Sequence, residues 1–339
     1  MNELCEKYLI DILKMELKYD ISHLSVDICT RCQLRCPSCS TSQGIIRNGF
    51  VKEGMMPFDN FKYVIDNNPQ IKEIELSNWG EIFLNLEIGH MIKYAYDRGV
   101  GLLCANGTNF NYVKQDVLEA LVKYKVRCLN LSIDGACQET YSIYRRNGSF
   151  NKVIENIEKL NSLKKLYNSD YPKLSWQFII FGHNEHEIYE VKEMCARLGM
   201  VFNPRMNHTS LSPIKNPDLV KRETGLDYAS REEYRIKHKT EYKHPCYQCI
   251  FSPQINWNGE VLGCCVNKWK GLGNIFKQNI EETVNSKLYQ YMLDVLFGEK
   301  EANSTIPCYY CPNYDKIRIQ PLTLEGLKKY IDYVPIALR

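Results

Sequence analysis

Between residues 23 and 202 short apolar runs alternate with amphipathic stretches, and that alternation limits the fold more than any other feature of the chain. Strand-like runs fall at residues 23–28, 71–76, 101–104, 128–133, 174–181 and 200–202. Helical spacing of apolar residues occupies 57–67, 88–98, 113–124, 150–165 and 185–198. Strands separated by helices read as parallel βαβ units rather than hairpins, and six of them predict an α/β fold, a partial (β/α)6 TIM-like barrel. Residues that bind ligands then belong at the C-terminal ends of the strands.

The chemistry of such a barrel is indicated by fifteen cysteines, far more than packing requires. The first twenty residues carry acids and lysines throughout, which denies them a signal-peptide core, and no segment approaches the run of about 20 apolar residues that a membrane span needs. Reduced, metal-binding thiols in the cytoplasm are therefore expected, not a disulfide framework. A net charge of +3, from 43 basic and 40 acidic residues, implies neither a nucleic acid nor a membrane partner.

Cys32, Cys36 and Cys39, spaced C-x3-C-x2-C, follow the first strand. A closed zinc site usually takes two C-x2-C hooks, and this loop has one. Three thiolates from one loop suit an iron-sulfur cluster whose fourth iron stays open for chemistry. Cys29 reads as a buried cysteine at the strand end. The chain divides into an accessory helix (1–21), the barrel (22–205), a charged and solvated connector with room for helix (206–243), a small cysteine-rich α+β domain (244–320) and a tail (321–339). In the small domain Asn258-Gly259 is a two-residue hairpin turn that brings Cys249 and Cys264 together, and Cys308 and Cys311 close the region.

The C-x3-C-x2-C loop after the first barrel strand resembles that of the radical S-adenosylmethionine superfamily. The resemblance implies that Cys32, Cys36 and Cys39 hold a 4Fe-4S cluster and that S-adenosylmethionine chelates its open iron. One-electron reduction then yields a 5'-deoxyadenosyl radical that takes hydrogen from a substrate. Ser38 stands where the family usually has an aromatic residue near adenine, so adenine packing must come partly from elsewhere. Trp79-Gly80-Glu81 resembles the family's Gly-Gly-Glu segment, which receives the cofactor's ammonium, with Trp79 replacing the first glycine. Asn106-Gly107-Thr108 resembles its Thr-Asn-Gly segment, although Asn-Gly is also a common turn. Ser132 and Asp134 match strand-end positions that face the ribose, and Arg145, preferred to Arg146, matches an arginine that grips the cofactor's carboxylate. Asn184 is either a contact of the adenosyl group or substrate, or a helix N-cap.

The second cysteine group resembles the family's C-terminal SPASM extension in its shortened, twitch-like form. That implies one auxiliary 4Fe-4S cluster on Cys249, Cys264, Cys308 and Cys311, with Cys246 and Cys265 spare. A zinc ribbon built on Cys246/Cys249 and Cys308/Cys311 is the rival, and it would leave Cys264 unused. The expected enzyme oxidises or epimerises a small molecule such as a polyol, sugar or nucleotide sugar, with flavodoxin or ferredoxin as reductant. For epimerisation a spare thiol, Cys265 before Cys246, would return hydrogen; the alternative for both is a supporting or exchanged cluster cysteine. A radical peptide maturase and a non-catalytic metal-binding or redox-sensing protein are the other readings.

Overall fold

The computed structural model describes residues 21–242 and 245–331. The expected helix near the N-terminus lies outside the described residues, as does the end of the tail. Six strands, β1 (His23–Val26), β2 (Glu73–Glu75), β3 (Gly101–Thr108), β4 (Cys128–Ser132), β5 (Lys173–Ile180) and β6 (Met200–Met206), pair in parallel in sequence order. This is the partial barrel that the alternation predicts. Two strands follow that do not form a sheet of their own. β7 (Gln254–Ile255) pairs in parallel with β1, and β8 (Val261–Gly263) pairs antiparallel with β7, so the hairpin extends the barrel sheet beyond β1.

Period-two alternation decides what each face meets. Leu24, Val26, Ile74, Leu102, Leu129, Leu131 and Trp176 join the main core with the apolar sides of the helices, including Phe61 and Val64 of helix Phe58–Asp66 and Met91 and Ile92 of helix Ile88–Asp97. The opposite face, inside the barrel, is largely polar beyond a small apolar cluster of Leu103, Cys128 and Ala105. Asn130 donates to the Ala105 carbonyl (3.0 Å) and to Gln177 (3.0 Å), and accepts from Ser175 (2.7 Å) and Asn203 (3.1 Å). One side chain thereby ties β3 through β6 together. At the N-terminal ends of the strands Glu73 closes the bottom by pairing with His23 (3.0 Å) and Arg127.

Two details differ from the sequence reading. β3 runs on to Thr108, with a register shift between Cys104 and Thr108 and Gly107 at φ 118°, so Asn106-Gly107 lies in an irregular strand end instead of a free turn. The connector holds helices Pro217–Thr224 and Arg231–His238 and is not merely solvated, because Val220 and Ala229 are buried in the main core.

Replacing Asn130 with Ala leaves the Ser175 hydroxyl and the Asn203 amide short of their buried acceptor. At about 1–3 kcal/mol for each stranded group, the variant should lose a few kcal/mol. Urea unfolding should show a lower midpoint with an unchanged slope.

Candidate active site

The loop after β1 carries its thiols into a small apolar pocket. Cys36 is buried with Leu34, Tyr144 and Phe181, and Cys32, Cys39 and Ile179 pack against this group. Burial pushes the Cys32 thiol up to about 12, with the neighbouring Glu81 adding to it, and raises Cys36 as well. Both shifts favour protonated thiols until a cation takes the proton's place. Two donors face the sulfurs: Arg145 Nη1 lies 3.8 Å from Cys36 Sγ and Asn109 Nδ2 lies 3.6 Å from Cys32 Sγ. Soft thiolates in one loop, an apolar wall and donors to sulfur fit a cluster bound by Cys32, Cys36 and Cys39. Cys29, 1% exposed, bridges to Met55 and donates to the Arg31 carbonyl, away from this pocket.

Arg145 is held for its task. Its Nε donates to Asp134 at 2.6 Å, and the other Asp134 oxygen accepts from the Ile179 amide at 2.7 Å. Burial works against the guanidinium, but Asp134 and Cys36 more than offset it and keep it charged. Burial also raises Asp134 despite its cationic partner. Tyr144, which precedes Arg145, donates to or accepts from Ser38 at 2.6 Å and lies 4.7 Å from the Phe181 ring, which in turn stacks on His183 at 5.1 Å. This aromatic stack stands beside Ser38, where the sequence lacks a ring.

After β2, Gly80 presses its backbone onto the cluster loop. Its φ is 76°, and a β-carbon there would meet the Arg31 carbonyl oxygen at 2.6 Å. Glu81 donates its amide to that same carbonyl (2.7 Å), while its carboxylate accepts from the amides of Asn109 (2.6 Å) and Phe83 (3.3 Å). Trp79 packs with Ile46, Val51 and Leu262, and among the described residues its buried Nε1 has no partner. The Trp79 amide donates to Asp27, whose other oxygen accepts from Gln254 of β7 (2.9 Å each). Asn106 donates to the Ser77 carbonyl (2.9 Å), and Ser132 accepts from Gln177 (3.1 Å) next to Gly107. Asn184 is buried and brackets its own loop, accepting from the Phe181 amide and donating to the Asp134 and Ile179 carbonyls. Burial pushes the carboxyls of Asp27, Glu75 and Glu81 to about 7.

The second group of thiols surrounds a separate, small pocket. Cys246, Cys249, Cys264, Cys308 and Cys311 line it, together with apolar side chains such as Leu262, Met292 and Ile317. Five thiols meet there where four were expected, because Cys246 precedes Cys249 by one turn. Among the described residues no three such side chains close to single-ion spacing; the thiols stand around a wider space. Cys265 does not line the cavity. Its amide donates to Gln248 (2.8 Å) and its carbonyl accepts from Asn78 (3.3 Å), which places it between the cavity and the end of β2. Tyr144, Asn109 and Asp27 had no motif to mark them; each acts through a contact distant in sequence.

Comparison with known proteins matches residues 26–195 to the Radical SAM superfamily and residues 246–312 to an iron-sulfur cluster-binding domain, SPASM. A tungsten-containing aldehyde ferredoxin oxidoreductase cofactor-modifying protein of Pyrococcus furiosus is 23% identical over 261 residues, covering 72% of this chain and 71% of the relative. Among solved structures, SuiB of Streptococcus suis superposes with a TM-score of 0.62 at 13% identity, over 98% of this chain and 79% of that one. A structure of anSMEcpe with bound AdoMet gives 0.54 at 15% identity, over 92% and 100%. At these identities the structural likeness establishes the fold.

Two outcomes test the site. Gly80→Ala places a side chain at positive φ, costing about 1–2 kcal/mol before the contact with Arg31 is counted. Iron bound by the first loop should fall while iron at the second group of thiols persists, so absorbance near 400 nm should drop to roughly half. Glu75 is protonated in the folded chain at pH values where the unfolded chain has ionised it. Its contribution is therefore full below about 4.5 and lost as the pH rises through about 7. Glu75→Gln should flatten the fall in stability between pH 5 and pH 8 by on the order of 1–3 kcal/mol, read from urea midpoints.

Proposed function

Because the chain belongs to the radical S-adenosylmethionine superfamily and carries a SPASM domain, we propose that it is a radical enzyme oxidising a small, hydroxylated molecule held inside the barrel. The observation that carries this reading is the polar interior face: Ser132, Gln177, Asn130, Ser175 and Asn203 hydrogen-bond to one another where many barrels pack aliphatic side chains. Such a lining suits hydroxyls better than an apolar substrate. When bound, S-adenosylmethionine and the first cluster supply a radical that takes a hydrogen atom, and the auxiliary cluster supplies an electron acceptor.

The chain's own residues provide the rest. Cys32, Cys36 and Cys39 hold the first cluster, with Arg145 and Asn109 donating to the sulfurs. Gly80 and Glu81 would shape the turn that meets the cofactor's amino group, Asn106 and Ser132 its ribose side, with Asp134 buried behind them to hold Arg145, and Tyr144 with Phe181 the aromatic wall missing at Ser38. Asn184 holds that wall through the Phe181 amide. Cys249, Cys264, Cys308 and Cys311 bind the auxiliary cluster, and Cys246 is the fifth thiol of its cavity. Oxidation of a carbinol would remove one hydrogen atom from carbon, one proton from oxygen and one electron, leaving a carbonyl, with the auxiliary cluster on Cys249, Cys264, Cys308 and Cys311 as the acceptor for that electron. Glu75 faces the interior and, near 7, can take the proton at neutral pH. The cytoplasm, where thiols stay reduced, suits this work, with a flavodoxin or ferredoxin as electron source.

Reduced, cluster-loaded enzyme given carbon-deuterated polyols and sugars should put deuterium into 5'-deoxyadenosine and form a ketone or aldehyde. Deuterium transfer only from peptides would overturn the reading. Solvent deuterium in a carbon-inverted product, abolished in Cys265→Ala, would replace oxidation with epimerisation and make Cys265 the hydrogen donor.

A further inference from the structure

β6 brings one more group to the mouth of the barrel. Arg205 lies two residues beyond Asn203 on the same interior face and stands in register with Ile179 of β5. Ile179 packs against the pocket of the first three thiols, so Arg205 borders the radical site. Its Nε is buried and has no hydrogen-bond partner among the described residues. The connector delivers a second guanidinium beside it. Arg231 opens helix Arg231–His238, donates from Nε to the Met206 carbonyl (3.1 Å) and lies 4.8 Å from the Tyr242 ring centroid. The Tyr242 hydroxyl in turn accepts from the Met206 amide at 3.3 Å.

Among the described residues neither arginine forms an ion pair, although exposed lysines and arginines on this chain repeatedly do. Two partly desolvated like charges without a carboxylate are unfavourable on their own. Burial and the nearby Arg205 both depress Arg231, the physical trace of that repulsion. An anion between the two would relieve it, and the planar guanidinium fork matches phosphate and carboxylate oxygens.

We propose that Arg205 and Arg231 form an anion site that holds a phosphate or carboxylate group of the substrate while the rest of the molecule reaches into the barrel. The inference rests on the small-molecule reading above and narrows it to substrates bearing such a group. Pyrophosphate is the probe, titrated calorimetrically into cluster-loaded enzyme at constant ionic strength, with S-adenosylmethionine titrated separately. Wild type should bind pyrophosphate saturably, and Arg205→Gln and Arg231→Gln should each weaken it about tenfold or more. Arg205→Lys should restore part of the loss, and affinity for S-adenosylmethionine should not change. Arg205 makes no side-chain bond that its replacement would break, so the Arg205 variants report on binding even where Arg231→Gln unfolds. No binding by wild type, or equal binding by the Arg205 variants, overturns the proposal. So does lost affinity for S-adenosylmethionine in Arg205→Gln, which would assign the arginines to the cofactor's carboxylate. Deuterium transfer from a neutral polyol by an enzyme that ignores pyrophosphate would overturn this site alone and leave the proposed oxidation standing.

Discussion

The parallel pairing of β7 with β1 is the contact on which the rest of the arrangement depends. β1 feeds the loop of Cys32, Cys36 and Cys39, and β8, joined to β7, runs directly into Cys264 and Cys265. The two cysteine groups are thus mounted on adjacent strands of one sheet. Asp27, the residue after β1, accepts from Gln254 at the start of β7 and from Trp79 beyond β2, so a single buried carboxyl ties the ends of β1 and β2 to β7. Gln248 carries the chain of contacts onward, bonding Gln254 at 3.1 Å and the Cys265 amide at 2.8 Å. The hairpin tip adds a second clasp. Trp257 lies so close to Gly54 that no β-carbon fits there, and Gly54 accepts from and donates to Thr30 in the cluster loop.

Burial without full compensation recurs wherever this sheet meets chemistry. The thiols of Cys32 and Cys36, the carboxyls of Asp27, Glu75 and Glu81, and Arg231 of the connector all sit where their charged forms are costly. A folded chain tolerates such groups when hydrogen bonds or a bound partner satisfy them. Glu81 and Asp27 have their donors in place; the thiols have theirs only in part, and among the described residues the Arg205 Nε has no acceptor. Cluster loading should therefore contribute to stability as well as to catalysis, since each thiolate exchanges a proton for a metal bond.

The strands and most helices were legible because their apolar periodicity is strong and their lengths ordinary. The first cysteine motif was legible because its three thiols are close in sequence. The aromatic wall was not: Tyr144 and Ser38 are 106 residues apart, and only the fold brings their hydroxyls together. Arg231 was hidden for another reason. Its stretch is rich in alternating charge and reads as solvent-facing, yet the helix it opens docks on the end of β6 through one guanidinium and one tyrosine. Nor could the hairpin's place beside β1 be read, because Gln254-Ile255 is too short to reveal its partner.

Register makes the hairpin's position strict. In a parallel ladder side chains alternate faces, so a one-residue slip of β7 would turn Gln254 outward and Ile255 toward the polar interior. The buried Asp27 carboxyl would lose a donor, and Ile255, now wholly buried in the main core, would face a polar wall. The favoured register is therefore selected from both faces at once. It fixes where β8 ends, and with it the distance between Cys264 and the loop of Cys32, Cys36 and Cys39. Electron transfer between two metal centres depends on such a distance being constant. Here it is set by one carboxamide, one carboxyl and the pleat of a two-residue strand.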